Sequence, residues 1–310
     1  MALTFHIIYT AGTVKPLQLL LYSLLKWSDC TFRLVANGCS RAEQATLQRL
    51  CASNPRLSCV TLPTQKVMVH GEALNYLQEQ NQTDYFCFLD SDIYAVGEFL
   101  PTLLPDVSKV VGIFSAATFS DLPQDRVSPI GEYMPIQQRV YIGTTFLAIY
   151  NNAVITETRR ATGIGFTPCR WEALAELYQK PIAAMGAKRD YYDTAKLLNL
   201  MMHLSGHALQ HQPCPTLRHI GGLSRFSGTR PRSWWQRWRA WGGRWRRKLA
   251  GQKVAPSFSA ETPYLAQLLL ALADNKVVPK PPAAHATPDH AWVTRTTAEL
   301  MALHAEFAKL

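Results

Sequence analysis

The chain has 310 residues, 47% of them hydrophobic, and a formal net charge of +10. That length and apolar share exclude a disordered tail and fit one large domain with an appendage, or two domains. Seven cysteines, odd in number and without a C-x-x-C pair, argue against a disulfide framework and a thiolate zinc site, and for a reducing compartment. The charge is local: eight basic residues and no acid stand between Arg230 and Lys248, so one segment carries most of the excess. No basic flank precedes a long apolar stretch at the N-terminus, so no signal peptide is expected. The richest apolar window, Leu17 to Leu25, contains Gln18 and Ser23 and falls far short of the ~20 residues of a spanning helix.

From residue 4 to about 226, short apolar strands alternate with longer amphipathic stretches, the pattern of a sheet built from βαβ units. Strand-like Phe5 to Tyr9 leads through Thr10-Ala11-Gly12 to a helix over Pro16 to Lys26. A second strand, Thr31 to Ala36, is closed by Asn37-Gly38. Ser40 is placed to cap a helix running to Ala52, because Glu43 stands three residues later and can return the hydrogen bond. A strand over Leu57 to Leu62, a helix over Glu72 to Gln80 and the apolar run Tyr85 to Leu89 follow. Further strands are expected at Lys109 to Phe114 and Tyr141 to Tyr150, and helices at Trp171 to Tyr178 and Tyr192 to Leu204. Residues 120–140, with Pro123, Pro129 and Pro135, form a long irregular connection in which a substrate pocket is expected. After Gly228 the composition shifts to Arg and Trp, and after Gly251 it shifts again. Pro263 to Ala273 reads as a helix, Pro279 to Pro288 as a proline-rich linker and Thr296 to Leu310 as a closing helix. The expected divisions are 1–228, a basic segment 229–250 and a helical extension 251–310.

The run Tyr85 to Leu89 stops at Asp90-Ser91-Asp92. Residues two apart on a strand point the same way, so both carboxylates can meet one ligand beyond the strand end, where open α/β sheets gather ligands. Hard carboxylate oxygens there suit Mg²⁺ or Mn²⁺ shared with a diphosphate. The plainer role for such a pair is a helix cap. Two later segments also concentrate chemistry. His219-Ile220-Gly221-Gly222-Leu223-Ser224-Arg225 has the pattern H-x-x-G-x-x-R, and Arg189-Asp190-Tyr191-Tyr192-Asp193-Thr194 precedes an apolar helix ending near Gly206. His203, His207 and His211, four apart, form a metal stripe only on an unbroken helix, which Gly206 and Pro213 argue against.

With these residues in place, the chain resembles the GT-A glycosyltransferases, nucleotide-sugar-dependent enzymes, over roughly residues 4–226. The resemblance implies an α/β fold with a Rossmann-like, mostly parallel central sheet flanked by helices, here followed by a C-terminal helical appendage. It implies that Asp92 coordinates the divalent cation, that Asp90 and Ser91 face the ribose and the metal's water shell, and that His219 is a third ligand. Arg225 is expected to neutralise the diphosphate, although Arg225-Phe226-Ser227 stands where the family usually has Lys-Pro-Trp. Asp193 is the preferred general base, with Asp190 as the second candidate. Tyr9, Thr10, Ala11 and Asn37 are expected around the nucleotide, and the segment from His70 to Asn75 against the donor; Thr10 and Asn75 are singled out. The implied reaction is metal-dependent transfer of a sugar from a nucleoside diphosphate donor, UDP-sugar favoured, to an acceptor hydroxyl of a glycan or glycolipid, with inversion if a carboxylate base operates.

Trp234, Trp238, Trp241 and Trp245 recur at steps of four, three and four among the arginines, which puts four indoles on one helical face. Indoles favour a membrane interface and guanidinium groups favour anionic headgroups, each basic residue contributing on the order of 1 kcal/mol. The Trp234 to Lys248 region is therefore expected to hold the chain peripherally on an anionic membrane surface, at the cytoplasmic face. The same tryptophans could instead pack on the domain. No nucleic-acid partner is expected, since no nucleic-acid fold signature accompanies the segment. Two other functions use the same strand: a haloacid-dehalogenase-like phosphatase, and a non-catalytic membrane-binding protein.

Overall fold

The computed structural model describes residues 3–101, 103, 112–115, 134–136, 140–142, 147–211, 214–223, 261–282 and 290–309. The first half alternates as the apolar pattern dictates. β1 (Thr4–Thr10), α1 (Gln18–Lys26), β2 (Thr31–Asn37), α2 (Arg41–Ser53), β3 (Leu57–Thr61), α3 (His70–Glu79) and β4 (Tyr85–Leu89) follow one another. The capping box forms as expected: Ser40 Oγ accepts the Glu43 N–H while the Glu43 carboxylate accepts the Ser40 N–H. A short strand, β5 (Ile93–Ala95), follows the acidic turn. Then come β6 (Gly112–Ser115), β7 (Met134–Ile136), β8 (Val140–Ile142) and β9 (Leu147–Asn151).

Seven strands form the main sheet in the order β12 (Leu209–His211), β6, β9, β4, β1, β2, β3. Among the described strands of this sheet, only β9 runs antiparallel to its neighbours, β4 and β6. The other contacts, β1 with β2 and β4, β2 with β3, and β6 with β12, are parallel. β1 therefore leads to β2 on one side and lies beside β4 on the other. The crevice at such a reversal of strand order, at the carboxyl ends, is where α/β sheets hold ligands. Thr10 ends one of the two strands that border it, and Asp90 immediately follows the other.

Alternation along the strands separates two cores. Phe5, Ile7, Tyr9, Phe32, Leu34, Cys87 and Leu89 face α1 and α2, whereas Ile8, Val35, Phe86, Phe88, Ala148 and Tyr150 face α3 and the helices after β9. Those helices are α4 (Asn152–Thr162) and α6 (Lys196–Leu204), with α5 (Glu176–Ala184) between them in the chain. A third, smaller core joins α5 and α6 around Leu174, Ile182 and Tyr192.

Several expected elements are displaced. α4 has no counterpart in the sequence reading, although Asn151 caps it by accepting the Val154 N–H and Gly163 ends it in a left-handed conformation at φ 69°. The helix expected at Trp171 to Tyr178 is a single 3₁₀ turn, Trp171–Ala173, followed by α5. Tyr191 and Tyr192 are not helical: they form β11 (Tyr191–Tyr192), paired antiparallel with β10 (Cys169–Arg170), and α6 starts only at Lys196. Within the strand expected at Tyr141 to Tyr150, β8 and β9 are separate.

α7 (Glu261–Ala273) and α8 (His290–Phe307) complete the molecule's first core. Tyr264, Leu265, Leu268 and Leu269 of α7, with Trp292, Val293, Leu300 and Leu303 of α8, are buried with Leu17, Leu20 and Leu24 around α1. Burying a side chain of this size stabilises by about 1.5–3 kcal/mol, so these helices are part of what holds the sheet's first face. Among the described residues, no helix is long and apolar enough to cross a membrane.

Candidate active site

The two acids do not sit on β4 itself. β4 ends at Leu89, and Asp90 to Ile93 make a tight turn in which the Ile93 N–H donates to the Asp90 carbonyl at 3.3 Å. The turn, not strand alternation, brings the carboxylates together. It is braced from far along the chain, because β13 (Leu217–His219) pairs antiparallel with β5 in the register Leu217–Ala95, Arg218–Tyr94 and His219–Ile93. The Ile220 N–H donates to the Asp92 carbonyl at 3.0 Å and extends that ribbon to the turn.

The pairing delivers His219 to the acids. Its Nε2 lies 3.1 Å from Asp92 Oδ1 and 3.9 Å from Asp90 Oδ2, and the other Asp92 oxygen accepts the Leu223 N–H at 3.2 Å. Ligand atoms of Asp90, Asp92 and His219 all lie within 4.8 Å of one another, the one such group of His, Cys, Asp or Glu among the described residues. His203, His207 and His211 do not share one helix: α6 ends at Leu204, and His211 belongs to β12. On the far side of Asp90, His70 Nε2 at the start of α3 stands 3.8 Å from Oδ1. Asp90 Oδ1 is buried and makes no hydrogen bond.

Electrostatics separate the two acids. Burial, then the neighbouring Asp92 and Asp193 charges, push Asp90 up to about 8 against the opposing pull of His219. Burial also raises Asp92, but His219 and the Leu223 N–H overcome it and hold Asp92 below the usual carboxylate range. His70 is held below its ordinary value by desolvation, against the pull of Asp193 and Asp92. Two carboxylates and an imidazole, with one carboxylate oxygen buried and unsatisfied, form a donor set that fits Mn²⁺ or Mg²⁺.

The remaining sequence-picked residues divide. Ser91 is half-buried within the acidic turn. Tyr9 is buried, and its carbonyl accepts the Cys39 thiol. Thr10 and Ala11 lie in a loop closed by Thr13, whose Oγ1 accepts the Thr10 N–H and donates to the Thr10 carbonyl. The Glu43 carboxylate pins the loop further by accepting the Gly12 N–H. The Thr10 hydroxyl is buried without a hydrogen-bond partner at the mouth of the crevice.

The two asparagines are used differently from what the sequence suggests. Asn37 donates to the Met68 carbonyl at 2.8 Å and accepts the Met68 N–H at 2.7 Å, so its amide clasps the loop before α3. Asn75 accepts the Phe166 N–H and donates to Thr167 Oγ1, both at 2.9 Å, locking α3 to the segment before β10. Gly71 and Gly165 allow that approach: a Cβ at Gly71 would fall 2.5 Å from the Phe166 carbonyl oxygen, and one at Gly165 2.3 Å from Asn75 Oδ1. Each side chain thus clasps two segments through one donated and one accepted bond.

Asp193 lies half-buried between β11 and α6, close enough for its charge to act on Asp90 and His70. Its Oδ1 accepts the Thr194 N–H at 2.8 Å, and Ala195 follows at φ 64°, a left-handed kink that sets the angle of α6. Asp190 is exposed, and its carbonyl accepts the Trp171 N–H. Arg225 and the Trp234 to Lys248 segment lie outside the described residues, as does most of 120–140. Sequence reasoning missed β5, β13 and the Leu223 N–H; the apolar Ile93-Tyr94-Ala95 after the acids was the available signal for the first.

The layout is the one the GT-A resemblance implies: a mostly parallel sheet, helices on both faces and an Asp-x-Asp turn at its carboxyl edge. No family model and no curated protein matches the sequence. Solved structures do align with it. PcManGT, a mannosyltransferase from Pyrobaculum calidifontis in complex with GDP-Man and Mn²⁺, aligns over 98% of this chain and 86% of its own, at 15% identity and a TM-score of 0.45. The galactosyltransferase LgtC, in complex with donor and acceptor sugar analogues, aligns over 82% and 98% at 13% identity and a TM-score of 0.43. A 4-diphosphocytidyl-2C-methyl-D-erythritol synthase from Anaerococcus prevotii aligns over 73% and 96% at 12% identity and a TM-score of 0.40. Likeness at these identities and scores assigns no reaction to this chain.

Proposed function

We propose that this chain is a metal-dependent glycosyltransferase that moves a sugar from a nucleoside diphosphate donor to an acceptor hydroxyl. The observation that carries the reading is the corner of Asp90, Asp92 and His219 at the carboxyl edge of β4, with ligand atoms within 4.8 Å of one another. These three residues would hold Mn²⁺ or Mg²⁺, and such an ion, when bound, stabilises the charge that develops on a departing diphosphate. His219 and the Leu223 N–H keep Asp92 ionised and oriented. The unpartnered Thr10 hydroxyl, ending the neighbouring strand, is the donor-side contact favoured here. Asp193 takes the proton from the acceptor hydroxyl, a role its place beside Asp90 and His70 supports, and a carboxylate base of this kind goes with inversion.

The finer parts of the proposal rest on the sequence: a UDP-sugar as donor, a glycan or glycolipid as acceptor, Arg225 on the diphosphate, and attachment to an anionic cytoplasmic membrane face through the Trp234 to Lys248 region. The test is thermal stabilisation by a panel of nucleoside diphosphates with and without Mn²⁺. A rise in melting temperature that needs both components, and is lost in Asp92→Ala, is the expected result. Indifference to every nucleotide would sink the reading.

A further inference from the structure

The corner's two strongest partners, Asp92 and His219, stand 127 residues apart in sequence, and their spacing depends on the β5–β13 ribbon. That ribbon pairs only three residues on each side. A two-stranded ribbon of that size is not stable by itself and needs an outside tie.

α8 provides one. Tyr94, buried in the first core, donates its hydroxyl to Glu299 Oε2 at 2.6 Å, and Glu299 Oε1 stands 3.6 Å from Arg218 Nε. Tyr94 and Arg218 face each other directly across the ribbon, one step along from the Ile93–His219 pair. One carboxylate thus hydrogen-bonds β5 and faces the β13 guanidinium as an ion pair, without a hydrogen bond to Arg218 Nε, each contact immediately beside the metal-site turn or its histidine. We infer that Glu299 is a positioning residue for the candidate metal ligands, clamping β5 to β13 and so setting the distance between Asp92 and His219. The inference rests on reading that corner as a metal site.

Two features make the clamp rigid. A hydroxyl donating to a carboxylate at this distance is a strong, charge-assisted hydrogen bond. α8 itself cannot drift, because Trp292, Val293, Leu300 and Leu303 anchor it in the core. The side chains of Tyr94 and Arg218 also lie on the ribbon face opposite that of Ile93 and His219, so Glu299 braces the ribbon from behind without occupying the ligand side.

The test is titration of the full-length chain with Mn²⁺, read by electron paramagnetic resonance of the free ion below each variant's melting temperature. Partners one step removed from the ligands are worth about 10–100-fold in metal affinity, and Glu299→Ala should weaken Mn²⁺ binding by about tenfold. Tyr94→Phe keeps the ring in the core and should weaken binding in the same direction, while Glu299→Gln, whose amide oxygen still accepts the Tyr94 hydroxyl, should recover part of the affinity. If Glu299→Ala and Tyr94→Phe lower the melting temperature yet bind Mn²⁺ like wild type, Glu299 is merely structural and the inference fails alone. A wild-type chain that takes up no Mn²⁺ would overturn the metal reading, and this inference with it.

Discussion

The two sides of the carboxyl edge are built on opposite principles. On the β4 side, Asp90 and Asp92 lie in a turn held by backbone bonds and a strand from far downstream, and one carboxylate oxygen stays buried and unsatisfied. On the β2 and α3 side, Asn37 and Asn75 spend their amides on Met68, Phe166 and Thr167. Both sides carry polar residues at strand or helix ends, which is what made both attractive in the sequence. The difference lies in what the groups hold: each asparagine amide ties two chain segments through one donated and one accepted bond, whereas the acidic turn gathers two carboxylates and an imidazole and leaves one oxygen without a partner.

Breaking the catalytic side should have the largest effect. Asp193→Asn should cut transfer by about 10²–10⁴-fold, while Asp190→Asn stays near wild type, as measured by turnover at saturating donor. Equal losses would remove the distinction drawn between the two acids. His219→Ala should cost about 10–100-fold in Mn²⁺ affinity, measured by calorimetric titration.

The corner should also depend on pH in a defined direction. Asp90 is raised to about 8, so below that pH it holds a proton that a cation must displace. Mn²⁺ affinity should climb by about tenfold per pH unit up to about pH 8 and then level off. The metal-free protein should behave in the opposite sense. With the folded pKa above the unfolded value of about 3.9, the folded state binds the extra proton, so stability falls as pH rises between the two values. Melting temperatures at pH 6 and 8, with and without Mn²⁺, check both slopes, and Asp90→Asn should remove them.

The smallest effect, and the one that sharpens the contrast, is on the clasp side. Asn37→Ala loses two hydrogen bonds and strands the Met68 backbone, a cost of about 2 kcal/mol. The melting temperature should fall by several degrees while Mn²⁺ affinity stays unchanged. Altered metal affinity with unchanged melting would assign Asn37 to the ligand after all.

The sheet and the acidic turn were legible because their signals are local. Ser40 and Glu43 announce α2 within four residues, and the apolar run before Asp90 marks β4. α4 was missed although Asn151 and Gly163 frame it, because the segment between them, NAVITETRRAT, is mostly polar and offers few apolar residues. The partners of Asp92 were not legible in detail: β13 is three residues long and its register against β5 is fixed only by the folded chain. The roles of Asn37 and Asn75 depended on neighbours 31 and 91 residues away, which no local pattern encodes.

If Asp90, Asp92 and His219 hold a cation shared with a nucleoside diphosphate, nucleotide and metal must bind together. The most direct measurement is calorimetric titration of the wild-type chain and Asp92→Ala with UDP, each with and without Mn²⁺. UDP binding should require Mn²⁺ in wild type and be lost, or weakened by at least about a hundredfold, in Asp92→Ala. UDP binding of equal strength in all four titrations would contradict that reading.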